Sequence, residues 1–376
     1  MNSLNHFAEE KLADLEGKHL RREMVDTHRL TNAMAVREGK KLVSFACNDY
    51  LNLAADPRII SAAEKALFDY GVGSGASRLV TGNHPLYRKL ETKLANFKQT
   101  EDACVFGSGY LANLGIIPSL ITKNDLIIVD ELSHACILAG SQLSSSKVEK
   151  FRHNDVSHVE ELLEQNRYRH KNAMVVTDGV FSMDGDIAPL DEISTLARQH
   201  KAWMMVDEAH ATGVFGPNGA GIAEEFNLSS EIEIQMGTLS KALGGSGGYV
   251  TGSRELVNWL INRARSFVYS TALPPMVAAT AIAAIDIVSN EPKRRQQLRD
   301  NADFLAKELT TLGYTLANSR SQILAIIIGT TSQTMALAAE LFSQGIFAPG
   351  IRPPTVPDNT SRIRLTPMAS HTPKDM

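Results

Sequence analysis

Three residues near the middle of the chain have the types and spacing for chemistry: Asp207, His210 and Lys241. Asp207 closes the apolar run W-M-M-V-D (203–207), and E-A-H-A-T-G follows with His210. Lys241 lies in Q-M-G-T-L-S-K-A-L-G-G-S-G-G (235–248). A short apolar run ending on a carboxylate is the pattern of a buried parallel strand. Open α/β sheets bind ligands just outside the carboxyl ends of such strands. Burial lowers the pKa of a lysine and makes it a Schiff-base nucleophile. A buried carboxylate can keep a ring nitrogen protonated. That pairing is what pyridoxal phosphate chemistry needs. Each residue also has a plainer use: Asp207 as a turn or capping residue, Lys241 as a solvated loop residue.

A series of alternating elements must position these groups. Strands are expected at 41–46, 102–106, 125–130, 147–151, 173–178 and 203–207, with a return strand at 247–252. Helices are expected at 58–70, 85–97, 155–165, 189–200, 254–266 and about 276–289, and another opens within G-S-G-Y-L-A-N (107–113). The fold class that follows is α/β, a mainly parallel sheet with helices on both faces. The loops after its strands supply the other candidates. Gly109 lets a backbone approach closely at a helix start, where amides attract phosphate, and Tyr110 can pack on a ligand. His134 can stack on a flat ring, cap a helix or sit satisfied in the core. Ser182 can donate to a ligand oxygen or make a turn. Asn48, in C-N-D-Y-L-N-L, is a carboxylate ligand or a turn residue.

The flanks are less regular. Residues 4–30 carry Leu4, Phe7, Leu12, Leu15 and Leu20 near helical spacing among charges, so 1–46 reads as an N-terminal helical arm. The large domain is expected at 47–289. The charged N-E-P-K-R-R (290–295) marks the start of a smaller α+β C-terminal domain, 290–376, with strands at 323–329 and 361–366 and a helix at about 333–344. The proline-bracketed A-P-G-I-R-P-P-T-V-P (348–357) holds Arg352 stiffly, as a carboxylate clamp requires. The loop G-V-G-S-G-A-S-R-L-V-T-G-N-H (71–84) lacks the third glycine of a dinucleotide fingerprint and follows a helix. It reads instead as a close-packed loop at an active site or interface.

Composition excludes several function classes. With 43% hydrophobic and 21% charged residues and a formal net charge of -4, the chain has no electrostatic footprint for nucleic acid. No apolar run reaches membrane-spanning length and no secretory leader is expected. Cys47, Cys104 and Cys136 are far apart, which suits a reduced, cytoplasmic protein with core cysteines. No metal-site spacing is present. Asp207-Glu208-Ala209-His210 matches the acidic motif of some nucleic-acid helicases, but no G-x-x-x-x-G-K-[ST] accompanies it.

With these stretches in hand, the chain resembles the α-oxoamine synthases, fold-type-I pyridoxal-phosphate-dependent transferases, over nearly its whole length. The motifs are G-S-G-Y-L-A-N, D-E-L-S-H-A, D-G-V-F-S-M-D-G-D, V-D-E-A-H-A-T-G-V, G-T-L-S-K-A-L-G, Y-S-T-A-L-P-P and R-P-P-T-V-P. H-N-D-V, V-F-S-M-D-G-D and I-R-P-P-T-V-P are most like the member acting in biotin biosynthesis. The resemblance implies that Lys241 carries the cofactor, Asp207 pairs with its ring nitrogen, His134 stacks on the ring, and His210 and Ser182 lie near the ring hydroxyl. Gly109, Tyr110 and Thr238 would hold the phosphate, helped by Thr271 of a second subunit, so a homodimer with interfacial sites is implied. Asn48 and Arg352 would bind the amino-acid carboxylate, against His134. Arg21 and Thr355 would line the acyl side.

The implied reaction joins L-alanine to a pimeloyl thioester, of CoA or of an acyl carrier protein, with loss of CO2; free Lys241 is the general base. Sister reactions stay open: glycine with acetyl-CoA or succinyl-CoA, or serine with palmitoyl-CoA. So does a non-enzymatic binding module on the same fold. Two departures stand out. The biotin member often carries Glu where this chain has Asp178, and Asp-Asp-Ala-His where it has Asp207-Glu208-Ala209-His210. Family members also continue past H-T-P-K-D-M into a final helix, so the small domain is expected to lack that packing element.

Overall fold

The computed structural model describes residues 3–376. In chain order the strands are β1 (Thr27–Arg29), β2 (Met34–Arg37), β3 (Lys40–Ser44), β4 (Asp102–Phe106), β5 (Leu126–Asp130), β6 (Lys147–Phe151) and β7 (Ala173–Asp178). They continue as β8 (Trp203–Asp207), β9 (Ile234–Thr238), β10 (Gly248–Gly252), β11 (Leu324–Gly329), β12 (Ile346–Phe347), β13 (Gly350–Ile351) and β14 (Ser361–Leu365). Backbone packing divides the chain into two units. One holds Asn48–Ser182 and Asp186–Arg299; the other holds the described residues up to Cys47, Met183–Gly185 and Asp300–Met376.

The larger unit is built on a sheet of order β4-β10-β9-β8-β7-β5-β6. Strands β5 to β9 pair in parallel, and β10 runs antiparallel to both β9 and β4. Every residue of β5, β7 and β9 is buried, as expected for strands covered on both faces. The edge strand β6 exposes Lys147 and Lys150, charges that blunt an open edge. The core beneath one face joins Phe106, Ile116, Ile127, Met174, Met205, Met236 and Val250.

The smaller unit departs from the sequence reading. Its N-terminal helix ends at Gly17, not near residue 30. Beyond it β1, β2 and β3 form an antiparallel meander, and β12 pairs with β3 in parallel. Ala35 and Leu42 are buried there, which gives so short a meander an apolar side. The helix Ser3–Gly17 buries no residue, whereas the segment after it joins the C-terminal part of the chain through the β3–β12 pairing and Phe45, so the described residues up to Cys47 are not a helical arm throughout. Residues 292–311 are a single helix through the stretch read as a domain boundary. Leu298, Ala302 and Leu305 are buried along it at helical spacing. A second sheet, β11-β14-β13, packs Leu324, Ile326, Ile363 and Leu365 with Phe45.

Two local devices hold the strand ends of the larger unit in place. At Gly248, the first residue of β10, a Cβ would come within 2.5 Å of the Ser108 carbonyl oxygen and 2.6 Å of the Gly109 nitrogen. Only a bare backbone lets the turn Gly107–Gly109 lie against the sheet. On the other side His153 bridges two loops: Nδ1 is 3.0 Å from Asp130 Oδ1 and Nε2 is 2.7 Å from Asp186 Oδ2. Burial alone would lower the imidazole's pKa, but the two carboxylates overrule it and raise it to about 10.

Gly248→Ala should therefore destabilise the protein by about 1–3 kcal/mol, read as a lower urea midpoint with an unchanged slope. For His153 the folded pKa lies above the unfolded value of about 6.5. Its contribution is complete below pH ~6.5 and is lost as pH rises to ~10. The stability difference between wild type and His153→Gln should shrink over that window in urea titrations at each pH; a constant difference would show that His153 is not held as a cation.

Candidate active site

Strands β5, β7, β8 and β9 end in parallel on Asp130, Asp178, Asp207 and Thr238. Asp178 and Asp207 are register partners on neighbouring strands. Both are buried. The Asp207 carboxylate is fixed on both oxygens: Oδ1 accepts from the Ala209 amide at 2.9 Å and Oδ2 from Asn113 Nδ2 at 2.8 Å. Asn113 comes from the helix Gly109–Leu120 and is itself buried. Asp178 Oδ2 accepts from the His134 amide at 3.1 Å. Burial first, and then the charge of Asp207, push the Asp178 carboxyl well above the usual range. That shift favours the protonated form of Asp178, which lessens the cost of placing two buried carboxylates side by side.

His134 is the N-cap of the helix Ala135–Leu143, so the capping use read from sequence is real. Its Nδ1 accepts from the Cys136 amide at 3.2 Å and lies 2.8 Å from Cys136 Sγ. Nδ1 is therefore an acceptor. Burial pushes the imidazole pKa down, against the pull of Asp207. A neutral ring with Nε2–H is the consistent form. Burial and Asp207 likewise raise the Cys136 thiol to about 12, so this cysteine is not a nucleophile.

Lys241 follows β9, and its Nζ is 2.7 Å from His210 Nε2. Behind the ring, His210 Nδ1 is 2.6 Å from the Tyr50 hydroxyl, which is 3.3 Å from Asn48 Oδ1. The turn that carries Tyr50 is pinned by Asp49, which accepts from the Leu53 and Ala54 amides. Gly244, with φ +66°, packs on the same turn; a Cβ there would lie 2.5 Å from the Ala54 nitrogen. Lys241, His210 and Tyr50 are thus set in register by backbone contacts.

Glu208 explains one sequence departure. Both its oxygens accept backbone amides, from Ile222 at 2.9 Å and Ala223 at 2.8 Å. Buried Lys98 lies 3.6 Å from it and donates to the Ala220 carbonyl. The side chain ties down the loop that carries His210.

The remaining candidates occupy the same strand ends. Ser108 caps the helix Gly109–Leu120, accepting from Leu111 N at 3.1 Å. The first-turn amides of Gly109 and Tyr110 belong to the set no helix satisfies internally. A Cβ on Gly109 would lie 3.1 Å from Met236 Cε and 3.5 Å from Thr238 Cβ, so Thr238 adjoins this helix start. Ser182 lies half-buried in the loop after β7. Thr271 is exposed and bridges Ser77 through its backbone. A lysine beside an imidazole, a fixed buried carboxylate and a helix N-terminus are the donor set that an aromatic aldehyde bearing a phosphate requires.

Arg21, Arg352 and Thr355 belong to the smaller unit. Arg352 donates from Nη2 to the Arg21 carbonyl at 2.7 Å and from Nη1 to Met335 Sδ at 3.2 Å. Its Nε is buried without a protein partner, and burial and Arg22 both lower its pKa. The side chain of Arg21 turns instead to Glu16 and Glu23. The arginine that reaches Thr355 is Arg22, from Nη2 to Oγ1 at 3.3 Å. Sequence reasoning did not pick out Tyr50, Asn113 and Asp178 as partners of the candidates His210, Asp207 and His134, or Arg22 as the partner of Thr355. A buried Asn in an apolar helix start was the one signal that marked Asn113.

Residues 40–376 match the model for the family aminotransferase class I and II. A putative 8-amino-7-oxononanoate synthase of Parvibaculum lavamentivorans is 50% identical over all of this chain and 95% of its own length. The 8-amino-7-oxononanoate synthase of Beijerinckia indica is 49% identical over all of this chain and 96% of its own. Among solved structures, serine palmitoyltransferase from S. paucimobilis with a bound PLP–myriocin aldimine superposes with a TM-score of 0.94 at 32% identity, covering 100% of this chain and 96% of that one. The 8-amino-7-oxononanoate synthase of Francisella tularensis gives 0.78 at 29% identity, covering 89% and 94%. The chain belongs to the aminotransferase class I and II family and, within it, to the pyridoxal-phosphate-dependent α-oxoamine synthases.

Proposed function

We propose that the protein condenses L-alanine with a pimeloyl thioester, of CoA or of an acyl carrier protein, to give 8-amino-7-oxononanoate, CO2 and the free thiol of CoA or the carrier, for biotin biosynthesis. The reading rests on full-length relatives of that name and on one geometric observation: Lys241 Nζ is 2.7 Å from His210 Nε2, in the larger unit that also holds the fixed carboxylate of Asp207. Pyridoxal phosphate, when bound, supplies the electron sink that makes an amino-acid α-carbon nucleophilic.

The chain's own residues do the rest. Lys241 would hold the cofactor's carbonyl carbon, Asp207 its ring nitrogen and His134 its face. His210 and Ser182 would attend the ring hydroxyl. Gly109, Tyr110 and Thr238 would take the phosphate. Lys241 Nζ would take the α-proton of alanine, with His210 Nε2, 2.7 Å away, as its hydrogen-bond partner. The carboxylate of Asp207 is pinned on both oxygens, so it answers a positive ring nitrogen without reorganising. Asn48 and Arg352 keep their proposed roles toward the amino-acid carboxylate. Thr355, and Arg22 together with or in place of Arg21, are proposed for the acyl side.

The protein is proposed to act as a cytoplasmic homodimer with Thr271 offered to the phosphate of the second copy; its exposure suits that use. No described helix is long and apolar enough to cross a membrane.

The test is an assay of CoA release pairing alanine, glycine and serine with pimeloyl-, acetyl-, succinyl- and palmitoyl-CoA. Release confined to alanine with pimeloyl-CoA is expected; release with glycine and a short acyl-CoA would move the substrate assignment to a sister reaction. Lys241→Ala should lower turnover by at least ~10³-fold, and appreciable activity in it would remove Lys241 as the base.

A further inference from the structure

Asn113 and Cys136 are both buried, and neither the relatives' names nor the motif comparison gives them a role. Their helices pack closely. A Cβ on Gly140 would lie 2.8 Å from the Asn113 carbonyl oxygen, so only glycine there lets Ala135–Leu143 lie against Gly109–Leu120. That approach sets the Cys136 sulfur beside the Asn113 side chain. A primary amide has two hydrogens to give. Asn113 Nδ2 donates to Asp207 Oδ2 at 2.8 Å and to Cys136 Sγ at 3.0 Å. The sulfur also lies 2.8 Å from His134 Nδ1, in the capped first turn of its own helix. Asn113 Oδ1 is buried without a protein partner among the described residues. An acceptor left in that state destabilises the fold, and the other buried residues of the helix are Ala112, Gly115, Ile116 and Ile117. Asn113 is there for what its hydrogens hold.

We propose that Cys136 is a positioning residue: its sulfur holds one hydrogen of the Asn113 amide and thereby fixes the plane in which that amide presents the other to Asp207. Without the sulfur the amide is free to turn about its last bond and to carry its hydrogen away from the carboxylate. Burial and then Asp207 raise the thiol to about 12, so Cys136 braces the amide without setting a second negative charge beside Asp207. The consequence for a bound pyridine ring rests on the reading of Asp207 as the partner of the ring nitrogen. The bracing of Asn113 does not.

Two measurements on the full-length protein separate these points. The first is the affinity, by equilibrium dialysis, for pyridoxal phosphate and for its carbocyclic analogue, which keeps the aldehyde and the phosphate but has C–H in place of the ring nitrogen. Wild type should prefer pyridoxal phosphate. Asn113→Ala should lose most of that preference, and Cys136→Ala should lower it roughly 3- to 10-fold, the net worth of one hydrogen bond. Cys136→Ser keeps an acceptor on the same side chain and should stay within about 2-fold of wild type. A cavity by itself would weaken both ligands equally and leave the preference untouched. The second measurement is hydrogen exchange of the Asn113 side-chain amide, followed by NMR of asparagine-labelled protein without cofactor and assigned by its loss in Asn113→Ala. Cys136→Ala should speed that exchange roughly 10-fold or more. An unchanged exchange rate in Cys136→Ala, or a wild-type preference that Cys136→Ala leaves intact, would overturn the proposal. If the wild type shows no preference while the exchange still depends on Cys136, the reading of Asp207 fails and the positioning role stands.

Discussion

Asp178 and Asp207 end neighbouring parallel strands as register partners, buried side by side. The rest of the site is arranged around this constraint. Two ionised carboxylates repel each other in such a place, and burial together with the charge of Asp207 raises the pKa of Asp178 and favours its protonated form. A protonated Asp178 can still accept from the His134 amide and so hold the start of the next helix. Asp207, tied by Asn113 and Ala209, is left as a fixed acceptor next to a neutral histidine.

The chain invests heavily in immobilising the loops beyond the strands. Glu208 ties the loop of His210 to the backbone at Ile222 and Ala223, with Lys98 beside it. Asp49 and Gly244 lock the Tyr50 turn to the segment after Lys241. His153 clamps Asp130 to Asp186. A buried charge held by amides or an opposite charge is costly to disturb, and here each such group ends on a loop that carries a site residue. Preorganisation of this kind lets a general base act without loops rearranging at each turnover.

The sheet was legible because its strands are short apolar runs bounded by glycine and acid, and Asp207, His210, Lys241 and Gly109 fall at the ends of such runs. Tyr50 and Asn113 were not, because their partners lie 160 and 94 residues away, and no local pattern encodes that. Asp178 was seen only as a conservative exchange; its raised pKa comes from burial and from the register that sets it beside Asp207. Residues 27–37 carry two strands of three and four residues, too short and polar to show alternation. The helix Pro292–Thr311 was hidden by K-R-R-Q-Q-L-R-D-N, whose charges mask a narrow apolar stripe. Arg21 and Arg22 were separable only once Glu16 and Glu23 were seen to take the first of them.

The central claim is that Lys241, among all the lysines, carries the cofactor. Reduction with borohydride after loading with pyridoxal phosphate, followed by peptide mass mapping, tests it most directly. A single pyridoxyl-phosphate adduct on Lys241 is the expected result. An adduct on a different lysine, such as the buried Lys98, or labelling scattered over surface lysines, would contradict the account.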